Sequence, residues 1–283
     1  MARTKKREKV VKKREKVVKK RPAKKNKHKP TIPVLIDNVI KEADIILEIL
    51  DARFMEKTRN IEIENKAKAL GKTLIYVLNK SDLIDIENPK MEDGFEDLRP
   101  KLFFSSKNRK GVATLRKIIK IEVKKMKKDI VNVGIVGYPN TGKSSLANIL
   151  VGKSVSKTSS EAGFTHGIHK LKILPGVYLI DTPGIIPPAE KTYGQRLMMK
   201  HTKIGAVTWH KAKDPDVIIF ELMKEYRGIL EAYYGIDVEG DVEVLIETLG
   251  RKLHYLKKGN VVDEDRTAKH ILREWQEGKI RVR

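Results

Sequence analysis

Apolar positions fall into a clear order from residue 32 onward, and before that they do not. Residues 43–51 form a β-branched apolar run that reads as a buried strand. Residues 61–70 read as a helix stopped by Gly71. Residues 73–78 form a second apolar strand and 101–104 a short third one. Gly111 opens a helix whose apolar face carries Val112, Leu115, Ile118, Ile119 and Val123. A strand over 130–136 and a helix over 143–150 follow, then strands 171–174 and 177–180 joined by Pro175-Gly176 in a hairpin turn. Strands alternating with helices predict an α/β domain with a largely parallel sheet.

Beyond Pro187-Pro188 the pattern holds no strand. Asp214-Pro215 reads as an N-cap with proline at the first helical position, opening a helix that runs to Tyr234 and stops at Gly235. A second helix covers 241–256, ahead of Gly259, and a third runs from its cap Asp263 to Glu277, ahead of Gly278. The division expected is a tail over 1–30, an α/β domain over 31–187 and a small all-helical domain over 188–283.

The chain has 283 residues, no cysteine and a net charge of +23. Without cysteine there is no disulfide framework, thiolate zinc site, iron–sulfur cluster or Cys nucleophile. No apolar run approaches the ~20 residues that span a bilayer. Neither a secretory signal nor a lipidation motif is present, so a cytoplasmic protein without a membrane partner is expected.

The charge is concentrated. Residues 1–29 hold 16 Lys/Arg against 2 Glu, and residues 101–130 hold 11 against 2 acidic residues. Such clustering points to a polyanion partner. In the tail, residues 5–11 recur unchanged as 12–18. Like charges crowd every face of such a helix, so the tail is expected to be disordered when free and to order on RNA. A solubilising tail is the competing assignment. His28 lies between lysines in it and reads as a solvated side chain.

Gly137-Tyr138-Pro139-Asn140-Thr141-Gly142-Lys143-Ser144 is a phosphate-loop pattern between a predicted strand and a predicted helix. Its glycines let backbone N–H groups curl around phosphate, and the helix N-terminus favours the anion. Lys143 reaches β- and γ-phosphates, the Ser144 hydroxyl can hold magnesium, and Ser145 completes the set. Asn79-Lys80-Ser81-Asp82 ends the strand over 73–78. The two acceptors of the Asp82 carboxylate match guanine's ring N–H and exocyclic amino group; adenine would leave them unpaired. Lys80 would lie against the base plane. The tetrapeptide is weak alone and strong beside a phosphate loop.

Asp181-Thr182-Pro183-Gly184 ends the last strand. In a nucleotide switch, Asp181 holds magnesium through water and the Gly184 N–H meets the γ-phosphate. Thr165 is a second candidate hydroxyl for magnesium, and Ser105-Ser106-Lys107 follows the short third strand at the base edge. Lys143, Thr165 and Gly184 are the candidate catalytic set. His166 and His169 follow Thr165 and read as surface residues, and Trp209-His210 reads as packing.

The order of these motifs is unusual. The Asn-Lys-x-Asp and Ser-Ser-Lys elements precede the phosphate loop, and Asp-x-x-Gly comes last. This resembles the circularly permuted GTPases, in which residues 101–130 would join the ancestral termini. Asp51-Ala52-Arg53 with Arg59, the helical C-terminal part and the closing segment from Asp263 through Arg266, Ile271 and Leu272 to Gly278-Lys279 are similar to the YlqF/YawG, nucleostemin-like branch. Met55 stands where that branch usually has proline.

The fold class implied is α/β: a circularly permuted P-loop GTPase domain with a mostly parallel six-stranded sheet, followed by helices. The resemblance implies GTP and GDP as ligands, Mg2+ as cofactor and a role in ribosome assembly, the large subunit foremost. A ribosomal subunit precursor and its rRNA would be the partners, and a monomer is expected. It also offers Asn140 as a potassium ligand, with a plain turn residue as the other reading.

Ile185-Ile186 stand where Ras-type enzymes carry a water-orienting Gln. Hydrolysis by the isolated protein should therefore be slow. An RNA-binding scaffold with structural nucleotide is the alternative from another class; Asn79–Asp82 disfavours an ATPase or kinase.

Overall fold

A computed structural model describes residues 32–85, 98–152, 170–180 and 195–281. The chain divides after Thr31, and all the residues described belong to the unit Ile32–Arg283.

Six strands make one sheet: β1 (Ile45–Asp51), β2 (Thr73–Asn79), β3 (Lys101–Phe103), β4 (Val131–Val136), β5 (Lys170–Leu174) and β6 (Val177–Ile180), in the order β3-β2-β1-β4-β6-β5. Five run parallel, and β5 closes the edge antiparallel to β6 through the expected Pro175-Gly176 turn.

Every residue of β1 is buried, because helices cover both faces. On one face Ile45, Leu47 and Ile49 pack with Leu115 and Ile119 of α4 (Val112–Met126) and Leu146 and Leu150 of α5 (Lys143–Val151). On the other, Ile46 and Leu50 pack with Ile36 and Ile40 of α1 (Ile32–Glu42), Met55 of α2 (Met55–Thr58) and Ile63 of α3 (Ile61–Ala69). The strand reading does not announce α1, although Ile36, Val39, Ile40 and Ala43 are buried at helical spacing.

The C-terminal region is mainly helical: α6 (Gln195–Lys203), α7 (Pro215–Glu225), α8 (Ile229–Tyr234), α9 (Val242–Lys252) and α10 (Glu264–Glu277). Three details differ from the sequence pattern. Helix α6 has no counterpart in the sequence pattern. The long helix to Tyr234 breaks at Tyr226–Gly228, where Gly228 takes φ +73° before α8 starts. A small hairpin, β7 (Leu256–Lys257) with β8 (Val261–Val262), lies between α9 and α10, so α9 ends at Lys252 instead of running to residue 256. Strands of two residues carry no alternation to read.

Trp275 anchors this region. It is wholly buried, with ring centroids 5.2 Å from Tyr226 and 5.9 Å from Phe54, and its indole N–H donates to the Lys203 carbonyl at 2.9 Å. Phe54 follows β1 and Tyr138 follows β4, yet both belong to this helical cluster. The helices therefore pack against the end of the sheet where the strands' C-termini lie. Trp209, in a single 3-10 turn, packs on the same cluster with its ring edge-on to His210 at 5.5 Å.

Candidate functional site

In parallel α/β sheets, loops after the strands' C-termini form the ligand crevice. Here β4 leads into the Gly137–Ser144 loop, β2 into Asn79–Asp82 and β3 into Ser105–Lys107. These segments, up to 62 residues apart, are tied together by one side chain. The buried Asn79 amide donates to the Thr141 carbonyl at 2.7 Å. Its oxygen accepts from the Ser106 N–H at 3.0 Å and the Ser106 hydroxyl at 3.1 Å. Three hydrogen bonds to two residues thus engage the Asn79 side chain inside the protein.

The loop geometry follows from residue type. Asn140 adopts φ +60° and Gly142 φ +97°, both left-handed. At Gly142 a Cβ would lie 2.1 Å from the Asn79 amide nitrogen, so only glycine permits that approach. The Thr141 hydroxyl donates to the Tyr138 carbonyl at 3.0 Å, and the Lys143 ammonium reaches the same oxygen at 2.5 Å. Lys143 is buried; Ser144 and Ser145 are exposed at the start of α5, and Pro139 is partly exposed.

Asn140 donates its side-chain N–H to the Gly205 carbonyl at 2.8 Å, and the Tyr138 ring lies 6.3 Å from that of His201. The phosphate-loop segment is therefore seated on the helical region just after α6.

The Ser105 hydroxyl donates to the Asp82 carboxylate at 2.6 Å and accepts from the Asn108 N–H at 3.0 Å, which aims the carboxylate. Lys107 is exposed beside them. Lys80 has φ +63° and its ammonium sits 2.7 Å from the Asp51 carboxylate.

Asp51 belongs to none of the nucleotide-type motifs of the sequence. Burial alone would raise its pKa, but Arg53 and Lys80 outweigh that and hold it at about 2. Its cross-strand position opposite Asn79 was legible only once the sheet register was known.

Arg59, its companion in the sequence element, forms a two-pronged ion pair with Glu64 at 2.8 Å on each arm. Glu64 also accepts from the Tyr76 hydroxyl. Next to them Glu48 is wholly buried, and that burial, followed by the Glu64 charge, pushes its carboxyl up to about 8. Arg59 thus belongs to a structural cluster beneath α3 and not to the loop edge.

Thr165, Asp181 and Gly184 lie outside the described residues, as do His28, His166, His169 and Ile185-Ile186. Among the described residues no group of three His, Asp or Glu side chains could hold a metal. The exposed Ser144 hydroxyl fits a magnesium ion that takes most of its ligands from phosphate and water.

Comparison with known proteins bears on the family and the fold. The family model described as 50S ribosome-binding GTPase matches residues 132–252. An uncharacterized GTP-binding protein of Methanocaldococcus jannaschii is 40% identical over 258 residues, covering 89% of this chain and 66% of that protein. GDP-bound YlqF aligns with TM-score 0.62 and 25% identity over 87% of this chain and 96% of that one. This chain belongs to the YlqF/YawG family of circularly permuted GTPases.

Nucleolar GTP-binding protein 2 of Saccharomyces cerevisiae is a further relative, 33% identical over 256 residues. The family member described here spans 66% of the Methanocaldococcus protein but only half of that nucleolar one. Its sheet places the guanine-type motifs on β2 and β3, beyond β1 from the phosphate-loop strand β4. The three described motifs, out of their usual order along the chain, therefore meet at one edge of the sheet.

Proposed function

We propose that this protein binds GTP, hydrolyses it slowly to GDP and phosphate, and assists assembly of the ribosome, the large subunit foremost, with the ribosomal particle as activator. The observation that carries this reading is the Asn79 side chain joining the three nucleotide-type motifs among the described residues at the C-terminal edge of the sheet. The backbone of 137–144 would cradle the phosphates, with Pro139 and Thr141 shaping the turn and Lys143 exchanging the Tyr138 carbonyl for phosphate oxygens. Asp82, aimed by Ser105, would read guanine, and Lys80 would lie along its plane.

Ser144 and Thr165 would hold Mg2+ directly and Asp181 through water. Magnesium would neutralise charge on the β- and γ-oxygens. The Gly184 N–H would meet the γ-phosphate. Asn140, its N–H spent on Gly205, would turn its carbonyl oxygen toward a potassium ion. Ile185 and Ile186 can neither donate to nor accept from the attacking water, so the orienting group would come from the ribosomal particle.

Charge supports an rRNA partner. On α4 Lys117, Lys120 and Lys124 are exposed along one stripe, and no described carboxylate forms an ion pair with them. They span about 10 Å of helix. The tail over 1–30 would add to this field, with the GTPase domain over 31–187 and the helical domain over 188–283. A cytoplasmic monomer without membrane attachment is the expected state; no described helix is long and apolar enough to cross a membrane.

Steady-state GTP hydrolysis with and without large ribosomal subunits tests the proposal. Stimulation by the subunit is expected. Binding of both RNA and nucleotide with no turnover in either condition would leave a scaffold in which the nucleotide is structural.

A further inference from the structure

The end of α10 touches the base-recognition loop from two sides. On one side lies a buried chain of charged contacts. Asp51 accepts from the Arg53 Nε at 3.0 Å, the Arg53 Nη2 at 2.8 Å and the Lys80 ammonium at 2.7 Å. The remaining arm of Arg53 donates through Nη1 to the Trp275 carbonyl at 2.9 Å, 222 residues away. The side chains of Asp51 and Arg53 are both buried, that of Arg53 1% exposed.

The Trp275 carbonyl, in the last turn of α10, already accepts from the Gly278 N–H at 3.1 Å, and its second lone pair, with the negative partial charge of a helix C-terminus, suits a guanidinium. On the other side is Gly278, the C-cap of α10, with φ +73°. A Cβ there would lie 2.3 Å from Leu83, in the Ser81–Leu83 turn that carries Asp82.

A planar guanidinium with three donor directions is what this junction requires. Two arms fix Asp51, and Asp51 fixes Lys80. The third arm fixes the helix. Loss of the Arg53 head leaves Asp51 with Lys80 as its remaining cation, and draws Lys80 away from any base it would cover.

We propose that Arg53 is a positioning residue for the purine-base site, through which the end of α10 holds Lys80 in place and sets how fast guanine nucleotide leaves. This rests on the GTP-binding reading above and adds to it a route of control. Whatever partner displaces the end of α10 would weaken nucleotide binding, and nucleotide would weaken that partner's binding by the same factor.

The test measures release of fluorescent GDP from the full chain, with inorganic triphosphate as a competitor that has no base. Arg53→Ala should speed release about tenfold and leave triphosphate affinity unchanged. Added to Lys80→Ala, it should change release by less than about twofold, because both act through one contact. Arg53→Lys, a single head unable to reach both Asp51 and Trp275, should fall between wild type and Arg53→Ala.

Gly278→Ala disturbs the same helix end without touching the ion pairs, and should also speed release. It keeps the test alive if Arg53→Ala does not fold. Unchanged release in the folded variants would overturn the inference. So would an Arg53→Ala effect that falls equally on triphosphate and adds in full to Lys80→Ala, since that marks a general structural role. Wild type that binds no GDP would overturn instead the reading on which the inference rests.

Discussion

The Asn79 side chain donates to the Thr141 carbonyl across 62 residues of chain, and that contact joins a base-type loop to a phosphate-type loop. The same amide holds Ser106, so one buried side chain sets the spacing of three segments. Leaving such groups unsatisfied costs about 1–3 kcal/mol each. Asn79→Ala should therefore lower GDP affinity by at least about tenfold, measured by equilibrium titration. Gly142→Ala should do as much, because its Cβ meets the Asn79 nitrogen and its φ of +97° disfavours any side chain. Unaltered affinity in both would contradict the clamp.

Asp82 is aimed by the Ser105 hydroxyl at 2.6 Å. Asp82→Asn replaces an acceptor by a donor, which mismatches guanine's amino group and suits the 2-oxo group of xanthine. Competition titrations should show GDP weakened by about tenfold or more and xanthosine diphosphate strengthened. A variant that keeps its preference for GDP would remove Asp82 from base recognition. Ser105→Ala should give a smaller loss in the same direction.

Lys117, Lys120 and Lys124 should act together on RNA. Each phosphate contact contributes about 0.7–0.9 to the slope of log affinity against log salt. Changing all three to Glu should flatten that slope by about 2 for an rRNA fragment while GDP affinity stays put. Deleting residues 1–29 should weaken subunit association in the same way. Identical salt slopes for all three proteins would place the RNA contacts elsewhere.

Glu48 gives a pH signature. Its folded pKa of about 8 lies above the ordinary carboxylate value of 4.5, so the folded state holds a proton that the unfolded chain releases. The stability this contributes is complete below about pH 4.5 and is lost as pH rises toward 8. Glu48→Gln keeps an acceptor for the Asn60 N–H, which Glu48 meets at 2.7 Å, and cannot ionise. Denaturant unfolding from pH 5 to pH 9 should show wild type losing stability relative to the variant. Parallel curves would mean that Glu48 does not titrate in this range.

Asp51 acts in the opposite direction. Its folded pKa of about 2 lies below the ordinary 3.8, so its contribution is present at neutral pH and disappears as pH falls through both values. The difference corresponds to about 2 kcal/mol. Asp51→Asn should remove this acid-side loss while lowering stability at pH 7, because it leaves Arg53 buried without its anion. A neutral-pH stability equal to wild type would contradict this.

Much of this protein was legible before any tertiary structure. The Gly137–Ser144 loop is local: glycine positions, a preceding strand and a following helix suffice to shape it, because backbone conformation depends on near neighbours. The β-branched runs of β1 and β2, the Pro175-Gly176 turn and the Asp263 cap with Gly278 at the other end of α10 are local in the same sense. Motif order alone disclosed the permutation.

What the sequence could not show are the contacts that depend on packing. Asp51 reads as part of a family element with no assigned role until the register sets it opposite Asn79. Arg53 and Trp275 meet only because Phe54 and Tyr138 are buried in the helical core, which presses α10 against the base loop. Helix α6, the break before α8 and the two-residue hairpin escaped because their boundaries follow neighbouring surfaces more than their own periodicity. By itself the sequence determined which loops carry residue types suited to phosphate and guanine, since that is local backbone and donor–acceptor chemistry. The tertiary structure alone decided that those loops rest on the C-terminal helices, since burial and charge pairing act between residues that only the fold brings together.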